Sequence, residues 1–116
     1  MIKRKNELQA KINENMRGGE GSVRLDALLT TEEIYNKGRL YSKISVSPSG
    51  SIGFHVHENE MEAFYIIKGI GEFDDNGEKS EVYPGDVLYT PSGHGHSIKN
   101  LSDAEELEMV ALILGV

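Results

Sequence analysis

The sequence predicts an all-β protein, a small antiparallel sandwich or barrel. In the last two thirds of the chain, β-favouring runs such as "LYSKISV", "EAFYIIK" and "EVYPGDVLYT" alternate with turn sequences such as "SPSGS" and "PSGHG". The segment "DDNGE" is a strong hairpin signal, because Asn76 and Gly77 tolerate the positive φ angles that tight hairpin turns require. No internal repeat is evident, and the length of 116 residues suits one core. We therefore expect a single β domain.

The N-terminal segment is polar and follows a different pattern. Leu8, Ile12 and Met16 have helical spacing, and the "RGGEG" that follows breaks any regular element. These features predict an N-terminal arm or short helix over residues 1–21. The β domain is then expected to span residues 22–116.

Two further elements are predicted before the regular run of strands begins. "SVRLDALL" has the composition of a strand. "TTEEIYNKG" is typical of a short helix in which Thr30 and Glu33 form a capping box and Gly38 marks the end.

Composition excludes several classes of partner and site. The formal net charge of -7 repels phosphate backbones and anionic lipid, so we expect neither a nucleic-acid partner nor a membrane partner. The chain has no cysteine, so any metal must be held by nitrogen and oxygen ligands. The N-terminus lacks an apolar signal region, which favours a cytoplasmic location.

The last predicted strand is apolar at six consecutive positions, Met109 to Leu114, instead of alternating. One face of this strand can enter the core, while the other needs cover from a second subunit or from the N-terminal arm. We favour a homodimer.

The strongest candidate for a functional site begins in "IGFHVH". Side chains alternate along a strand, so His55 and His57 are expected to share one face with Gly53. The opposite face is expected to carry Ile52, Phe54 and Val56. Two such imidazoles lie about 6 to 7 Å apart along the backbone, which lets both rings reach one ion.

Three glutamates follow, and alternation separates them. Glu62 shares a face with Phe64 and Ile66, the pattern of an inward face, while Glu58 and Glu60 are expected in a turn as solvated charges. A buried carboxylate needs a compensating partner, and a cation held by neighbouring imidazoles would supply it. Glu62 is therefore the expected third ligand.

A further imidazole comes from "GDVLYTPSGHGHSIKN". His96 is expected to share a face with Ile98 and Asn100, and we predict it as the fourth ligand. His94 lies in a glycine-flanked loop, where its side chain is expected either to face a ligand or to be exposed to solvent.

These residues form two motifs, His55-x-His57-x4-Glu62-x6-Gly69 and Gly85-x5-Pro91-x-Gly93-x2-His96-x3-Asn100. With these motifs the chain resembles the cupins, and in particular the small single-domain bacterial cupins, from about Leu40 to the C-terminus. One departure is the glycine before the first motif, which the family places one position earlier than Gly50.

The resemblance implies a double-stranded β-helix, or jelly-roll, barrel behind a short N-terminal helical arm. It also implies that a divalent metal is bound by His55, His57, Glu62 and His96. Three imidazoles and one carboxylate leave open positions on an octahedral ion, so Mn, Fe, Ni, Co and Zn are all candidates.

The resemblance leaves the activity open, since the family contains oxalate decarboxylases, sugar-phosphate isomerases, dioxygenases and non-enzymatic sugar-binding or regulatory domains. We expect a metal-dependent enzyme acting on a small oxygen-rich metabolite such as a keto acid, hydroxy acid or dicarboxylate. The alternatives are a non-catalytic module that binds or senses a small molecule or sugar, and a sugar-phosphate isomerase.

Catalytic candidates beyond the ligands are few: His94, Lys43, Tyr41 and Glu108. A solvated face is the competing location for Lys43 and Glu108. An anionic substrate is expected to need an arginine or lysine beside the metal. Few such groups occur near the motifs, which disfavours a phosphosugar.

Overall fold

The computed structural model describes residues 1–116, and most of the chain is in antiparallel strands, so the all-β fold class is confirmed. Two short 3₁₀ helices, Lys5–Glu7 and Met16–Gly18, lie near the N-terminus. The strands are β1 (Ala10–Glu14), β2 (Ser22–Ala27), β3 (Gly38–Val46), β4 (Ser51–Val56), β5 (Glu60–Lys68), β6 (Gly71–Asp75), β7 (Glu78–Val82), β8 (Val87–Thr90), β9 (Gly95–Asn100) and β10 (Leu107–Gly115). Neither 3₁₀ helix has the length and apolar composition needed to cross a membrane.

The strands form two sheets. One has six strands in the order β1-β2-β3-β10-β5-β8, and the other has four in the order β4-β9-β6-β7. After β3 the chain passes from one sheet to the other at nearly every connection, which is the jelly-roll arrangement that the family resemblance implied.

The core lies between the sheets and is filled by apolar side chains from both. Its thirteen buried hydrophobic residues are Val23, Ile44, Val46, Ile52, Phe64, Ile66, Phe73, Val82, Leu88, Ile98, Leu107, Met109 and Ala111. Strand β5 contributes Phe64 and Ile66 from one face, as its alternation predicted.

The apolar run of β10 is divided between two faces. Met109, Ala111 and Ile113 point into the core and are 0 to 3% exposed. The alternate residues lie on the outside of the six-stranded sheet beside exposed side chains of β5 and β8. We call this surface the outer apolar face; it comprises Tyr65, Val87, Tyr89, Val110, Leu112 and Leu114.

The hairpin predicted at "DDNGE" is confirmed. Strands β6 and β7 pair with Asp75 opposite Glu78, which leaves Asn76 and Gly77 as a two-residue loop. Both loop residues have positive φ, 53° and 107°, as the tight hairpin turn requires.

The N-terminal segment differs from the helix that its apolar spacing suggested. The two 3₁₀ helices are its only helical parts, and β1 between them pairs with β2 at the edge of the six-stranded sheet. Ile12 remains 63% exposed, so the three apolar residues do not form a buried helical face. Pairing with β2 provides the backbone hydrogen bonds that an isolated short helix would hold only weakly. The boundary between residues 1–21 and 22–116 stays a prediction.

The short helix expected at "TTEEIYNKG" is only a set of turns. Its capping box is present, because the Thr30 amide donates to Glu33 Oε1 at 2.8 Å and the Glu33 amide donates to Thr30 Oγ1 at 3.2 Å. Tyr35 and Asn36 then adopt left-handed backbone conformations that end the turn, and Gly38 begins β3. The start signal was correct, but the chain reverses before a helix can extend.

Candidate functional site

Three imidazoles and one carboxylate meet inside the barrel. One potential ligand atom from each of His55, His57, Glu62 and His96 lies within 4.8 Å of the others. His96 Nε2 is 3.1 Å from His57 Nε2 and 3.2 Å from His55 Nε2. Glu62 Oε1 is 2.9 Å from the Nε2 atoms of His57 and His96. The cluster is compatible with a divalent metal site.

Neighbouring strands bring these residues together. His55 on β4 lies directly opposite His96 on β9, His57 follows the end of β4, and Glu62 lies on the inner face of β5. His57, Glu62 and His96 are 2%, 5% and 1% exposed, so the carboxylate is buried as its alternation predicted.

The predicted position of Ile52 on the opposite face is wrong. Ile52 is 3% exposed and lines the same cavity as the histidines, while Phe54 and Val56 are about half exposed. The register of β4 against β9 shifts between Ile52 and His55, where β4 has one extra residue. This bulge reverses the alternation and puts Ile52 on the inner face with His55.

Each histidine is oriented through its Nδ1 atom, which leaves Nε2 facing the cluster. His55 Nδ1 donates to the Gly53 carbonyl at 2.7 Å. His57 Nδ1 donates to Glu60 Oε1 at 2.8 Å, and His96 Nδ1 lies 2.7 Å from Thr90 Oγ1. A neutral imidazole that donates through Nδ1 has a lone pair on Nε2.

The lone pairs of His55 and His57, when these imidazoles are neutral, therefore converge with the Glu62 carboxylate. Nε2 of His55 and of His57 are both acceptors, and the Glu62 carboxylate is an acceptor too. A divalent cation satisfies all of them together, and imidazole nitrogen with carboxylate oxygen is a donor set that the first-row divalent metals accept.

The environment moves the pKa values of these groups in different directions. Burial lowers the pKa of His55 to about 4, and the positive charges of His96, His57 and Arg17 act in the same direction. Hydrogen bonding to Glu62, helped by Glu60, raises the pKa of His57 above its usual value. Burial opposes ionisation of Glu62, but its hydrogen bonds with the histidines lower its pKa overall.

Glu60 is not the solvated turn charge that the sequence suggested. It is the first residue of β5, half-buried, and it accepts hydrogen bonds from His57 Nδ1 and from Arg39 Nε and Nη2, each at 2.8 Å. Hydrogen bonding from Arg39, with a smaller contribution from His57, lowers the pKa of Glu60 to about 2. Glu60 therefore stays ionised and holds the His57 ring in place, a role that hydrogen-bonded carboxylates commonly have behind metal-ligating histidines.

A small cavity of about 40 Å³ adjoins the cluster. One water molecule needs about 10 to 15 Å³, so the cavity can enclose a few non-hydrogen atoms. The apolar residues that line it are Met16, Leu25, Leu40, Ile44, Ile52, Phe64 and Ile113.

Two arginines also line this cavity, Arg17 from the second 3₁₀ helix and Arg39 from β3. The sequence has few cationic groups near the motifs, and that observation did not reveal these two. Neither arginine is close to the motifs in the sequence, and only the fold brings them to the site.

Comparison with known proteins agrees with this geometry. The family model for the cupin domain matches residues 42–113. The chain is 41% identical over 114 residues to the oxalate-binding protein of Thermotoga maritima, a match that covers 98% of this chain and 93% of that protein. The chain belongs to the cupin family.

Solved cupin structures share its architecture. A crystal structure from Thermotoga maritima, described as a predicted oxalate decarboxylase, has 40% sequence identity and a TM-score of 0.94, with all of both chains covered. The cupin domain of Schizosaccharomyces pombe Cnp3 has 14% identity and a TM-score of 0.73, with 91% of this chain and 69% of that chain covered. The second likeness concerns the fold alone.

The remaining catalytic candidates of this cupin do not line the cavity. Tyr41, Lys43 and Glu108 lie on the outside of the six-stranded sheet, where Lys43 Nζ is 2.8 Å from Glu108 Oε1. His94 is exposed in the loop before β9. Its backbone carbonyl accepts a hydrogen bond from the His57 amide at 3.1 Å, so the contribution of this loop to the site is made through its main chain.

Proposed function

We propose that this cupin binds a divalent metal ion through His55, His57, Glu62 and His96 and holds a small dicarboxylate, of which oxalate is the simplest, on that ion. The relative with 41% identity is an oxalate-binding protein, which supports this class of ligand. The proposal depends above all on the convergence of three Nε2 atoms and one carboxylate beside a cavity that is both small and lined by two arginines.

The donor set suits Mn, Fe, Co, Ni or Zn and leaves coordination positions free on an octahedral ion. When bound, such an ion supplies Lewis-acid chelation of two ligand oxygens. The surrounding side chains orient the imidazoles, exclude water and place positive charge beside the ligand. The small volume of the cavity favours a compact ligand over a sugar phosphate or an aromatic polyol.

The lining of the cavity favours binding without turnover. Decarboxylation of an oxalate-like ligand requires a proton to be delivered to carbon, and a general acid suited to this has a pKa near the working pH. Apart from the ligand set, the cavity is lined by apolar side chains and two guanidinium groups, neither of which is suited to act as a general acid. We therefore place ligand binding or storage ahead of decarboxylation.

Turnover of the same ligand is the second candidate function. Its support is the crystal structure with 40% identity that is described as a predicted oxalate decarboxylase, together with the open positions of the proposed metal site. Both decarboxylase-like and dioxygenase-like chemistry belong to this alternative.

Calorimetric titration of oxalate into manganese-loaded and metal-free protein tests the proposed function. We expect saturable binding of one oxalate per loaded chain, no binding to the metal-free chain, and full recovery of oxalate after prolonged incubation in air. Release of carbon dioxide with either formate or hydrogen peroxide would favour the second candidate. Failure of the loaded protein to bind oxalate would refute both.

Metal affinity is expected to fall as the pH drops below neutrality. His57 must lose its proton to ligate, and its pKa in the metal-free site is raised by Glu62 and Glu60, so proton competition begins above the ordinary histidine value of about 6.5. His55, with a pKa of about 4, contributes no competing proton in that range.

Titration of manganese binding from pH 8 to pH 5 measures this decline, which approaches about tenfold per pH unit for each proton displaced. Glu60→Gln removes one of the interactions that raise the His57 pKa, so the manganese affinity of this variant should begin to fall at a lower pH than that of wild type. Affinity that stays constant from pH 8 to pH 5 would contradict ligation by His57.

We also propose that the outer apolar face forms a homodimer interface. Val110 pairs with Tyr65 and Leu112 pairs with Ala63 across adjacent strands, so the exposed and half-buried apolar side chains are contiguous. Sedimentation equilibrium should give the mass of two chains for wild type and of one chain for Leu112→Asp. A wild-type protein that is monomeric at high concentration would contradict the proposal.

A further inference from the structure

The segment Met16–Gly19 lies against the strand that carries the first metal-ligand candidate. A Cβ atom at Gly53 would lie 2.1 Å from the Arg17 carbonyl oxygen, and one at Gly19 would lie 2.2 Å from the Ser51 carbonyl oxygen. Only glycine allows such an approach of two backbones. Because the Gly53 carbonyl also orients His55, the segment is seated on a residue that belongs to the site.

Hydrogen bonds between Glu20 and Ser51 hold the end of the segment against β4. The Glu20 amide donates to Ser51 Oγ at 2.9 Å, and the Ser51 amide donates to the Glu20 carbonyl at 2.9 Å. Within the segment, Asn15 Nδ2 donates to the Gly19 carbonyl at 3.1 Å and closes the turn. Arg17 thus projects from a closed turn tied to β4 and not from a loose terminus.

The backbone of this turn adopts a conformation that is uncommon for its residues. Asn15 and Arg17 both have left-handed conformations, with φ of 51° and 55°. Arginine has no local preference for this region, so the contacts of the turn with β4 hold it there. The result is a fixed position for the Arg17 backbone beside the cavity.

The two cavity arginines differ in the partners they have. Arg39 donates through Nε and Nη2 to the two carboxylate oxygens of Glu60, so one edge of its guanidinium is already engaged. Arg17 takes part in none of the ion pairs of the chain. Arg17, which is exposed to solvent, is therefore the cavity arginine that no carboxylate of the chain engages.

Formal charge shows which ligand this arrangement suits. A divalent ion and the Glu62 carboxylate together carry one positive charge, so a bound monoanion neutralises the site without help from Arg17. A bound dianion leaves one negative charge, which the guanidinium of Arg17 offsets. A guanidinium also offers paired donors that match the two oxygens of a carboxylate.

We propose that Arg17 is a specificity-determining residue, which binds the ligand carboxylate and selects dianionic over monoanionic chelators. This inference rests on the proposed function, since it requires a metal-bound ligand in the cavity. It assigns the N-terminal segment a direct part in ligand recognition.

The test compares oxalate with glycolate, a monoanionic chelator of the same carbon length, on manganese-loaded wild type, Arg17→Gln, Arg17→Lys and Arg4→Gln. Arg17→Gln should weaken oxalate binding by about tenfold or more, as expected for loss of one charge-assisted hydrogen bond, and glycolate binding much less. Arg17→Lys should be intermediate, because it keeps the charge without the planar fork. Arg4→Gln, which removes an exposed arginine that does not line this cavity, should match wild type.

Metal content is measured for every variant and should not change. Equal oxalate affinity in wild type and Arg17→Gln would overturn the inference and leave the proposed function intact. Equal loss of oxalate and glycolate binding would also overturn it, because a merely structural role of the segment predicts that result. Wild-type protein that binds neither chelator would refute the proposed function itself.

Discussion

His57→Ala and Glu62→Ala are each expected to lower the affinity for a divalent metal by more than about 100-fold. Changes to residues behind the ligands alone cost about 10- to 100-fold, so loss of a ligand should cost more. Glu62 is the only carboxylate among the four candidate ligands, so its removal deletes the one negative charge of the set. Its Oε1 atom lies 2.9 Å from Nε2 of both His57 and His96, at the centre of the cluster. Elemental analysis of protein from its native host, followed by metal titration, measures the loss.

His94→Ala is the matched control. His94 is exposed, and it reaches the site through its backbone carbonyl, which alanine retains. We expect about one equivalent of metal in wild type and in His94→Ala, and little in the two ligand variants. Equal metal content in all four proteins would contradict the ligand assignment.

Asn100→Ala is expected to lower the free energy of unfolding by about 3 kcal/mol, which is more than most single substitutions cost. Asn100 is 1% exposed, and its Nδ2 group lies within hydrogen-bonding distance of the carbonyl oxygens of Val46, Ser47 and Glu105. Its Oδ1 accepts from the Ser102 amide at 3.0 Å. Alanine removes a hydrogen-bond partner from these buried and partly buried backbone groups, and each group left unsatisfied costs about 1 to 3 kcal/mol.

Urea unfolding of metal-free protein measures this effect without a contribution from metal binding. Asn6→Ala is the control, because Asn6 is exposed and its removal should change the free energy of unfolding by less than about 0.5 kcal/mol. A loss below about 1 kcal/mol for Asn100→Ala would show that water or a local shift replaces the amide.

Local chemistry made parts of this structure predictable. The β6–β7 hairpin depends on two adjacent residues with positive φ, and the inner face of β5 depends on simple alternation. The capping box of Thr30 and Glu33 likewise involves neighbours in sequence. Each of these signals is contained in a few consecutive residues.

Other features depend on contacts that a single segment does not reveal. The bulge that turns Ile52 inward arises from the register of β4 against β9. The N-terminal strand forms because β2 offers it an edge, although its apolar spacing suited a helix. Such pairings are decided by the assembled sheet.

The surroundings of the candidate site were missed for the same reason. Glu60 becomes a support for His57 only because Arg39, from another strand, holds it in place. Arg17 reaches the cavity from a turn that packs closely on β4, and Gly19 and Gly53 allow this close contact. The spacing of His57 and Glu60, three residues apart across a turn, is the one sequence signal that could have indicated the pair.

Anomalous diffraction from crystals grown with manganese tests the central claim most directly. The result expected is a single strong peak enclosed by the Nε2 atoms of His55, His57 and His96 and by the carboxylate of Glu62. A peak elsewhere on the chain, or no peak within this cluster at saturating manganese, would contradict the proposed metal site and the ligand binding that depends on it.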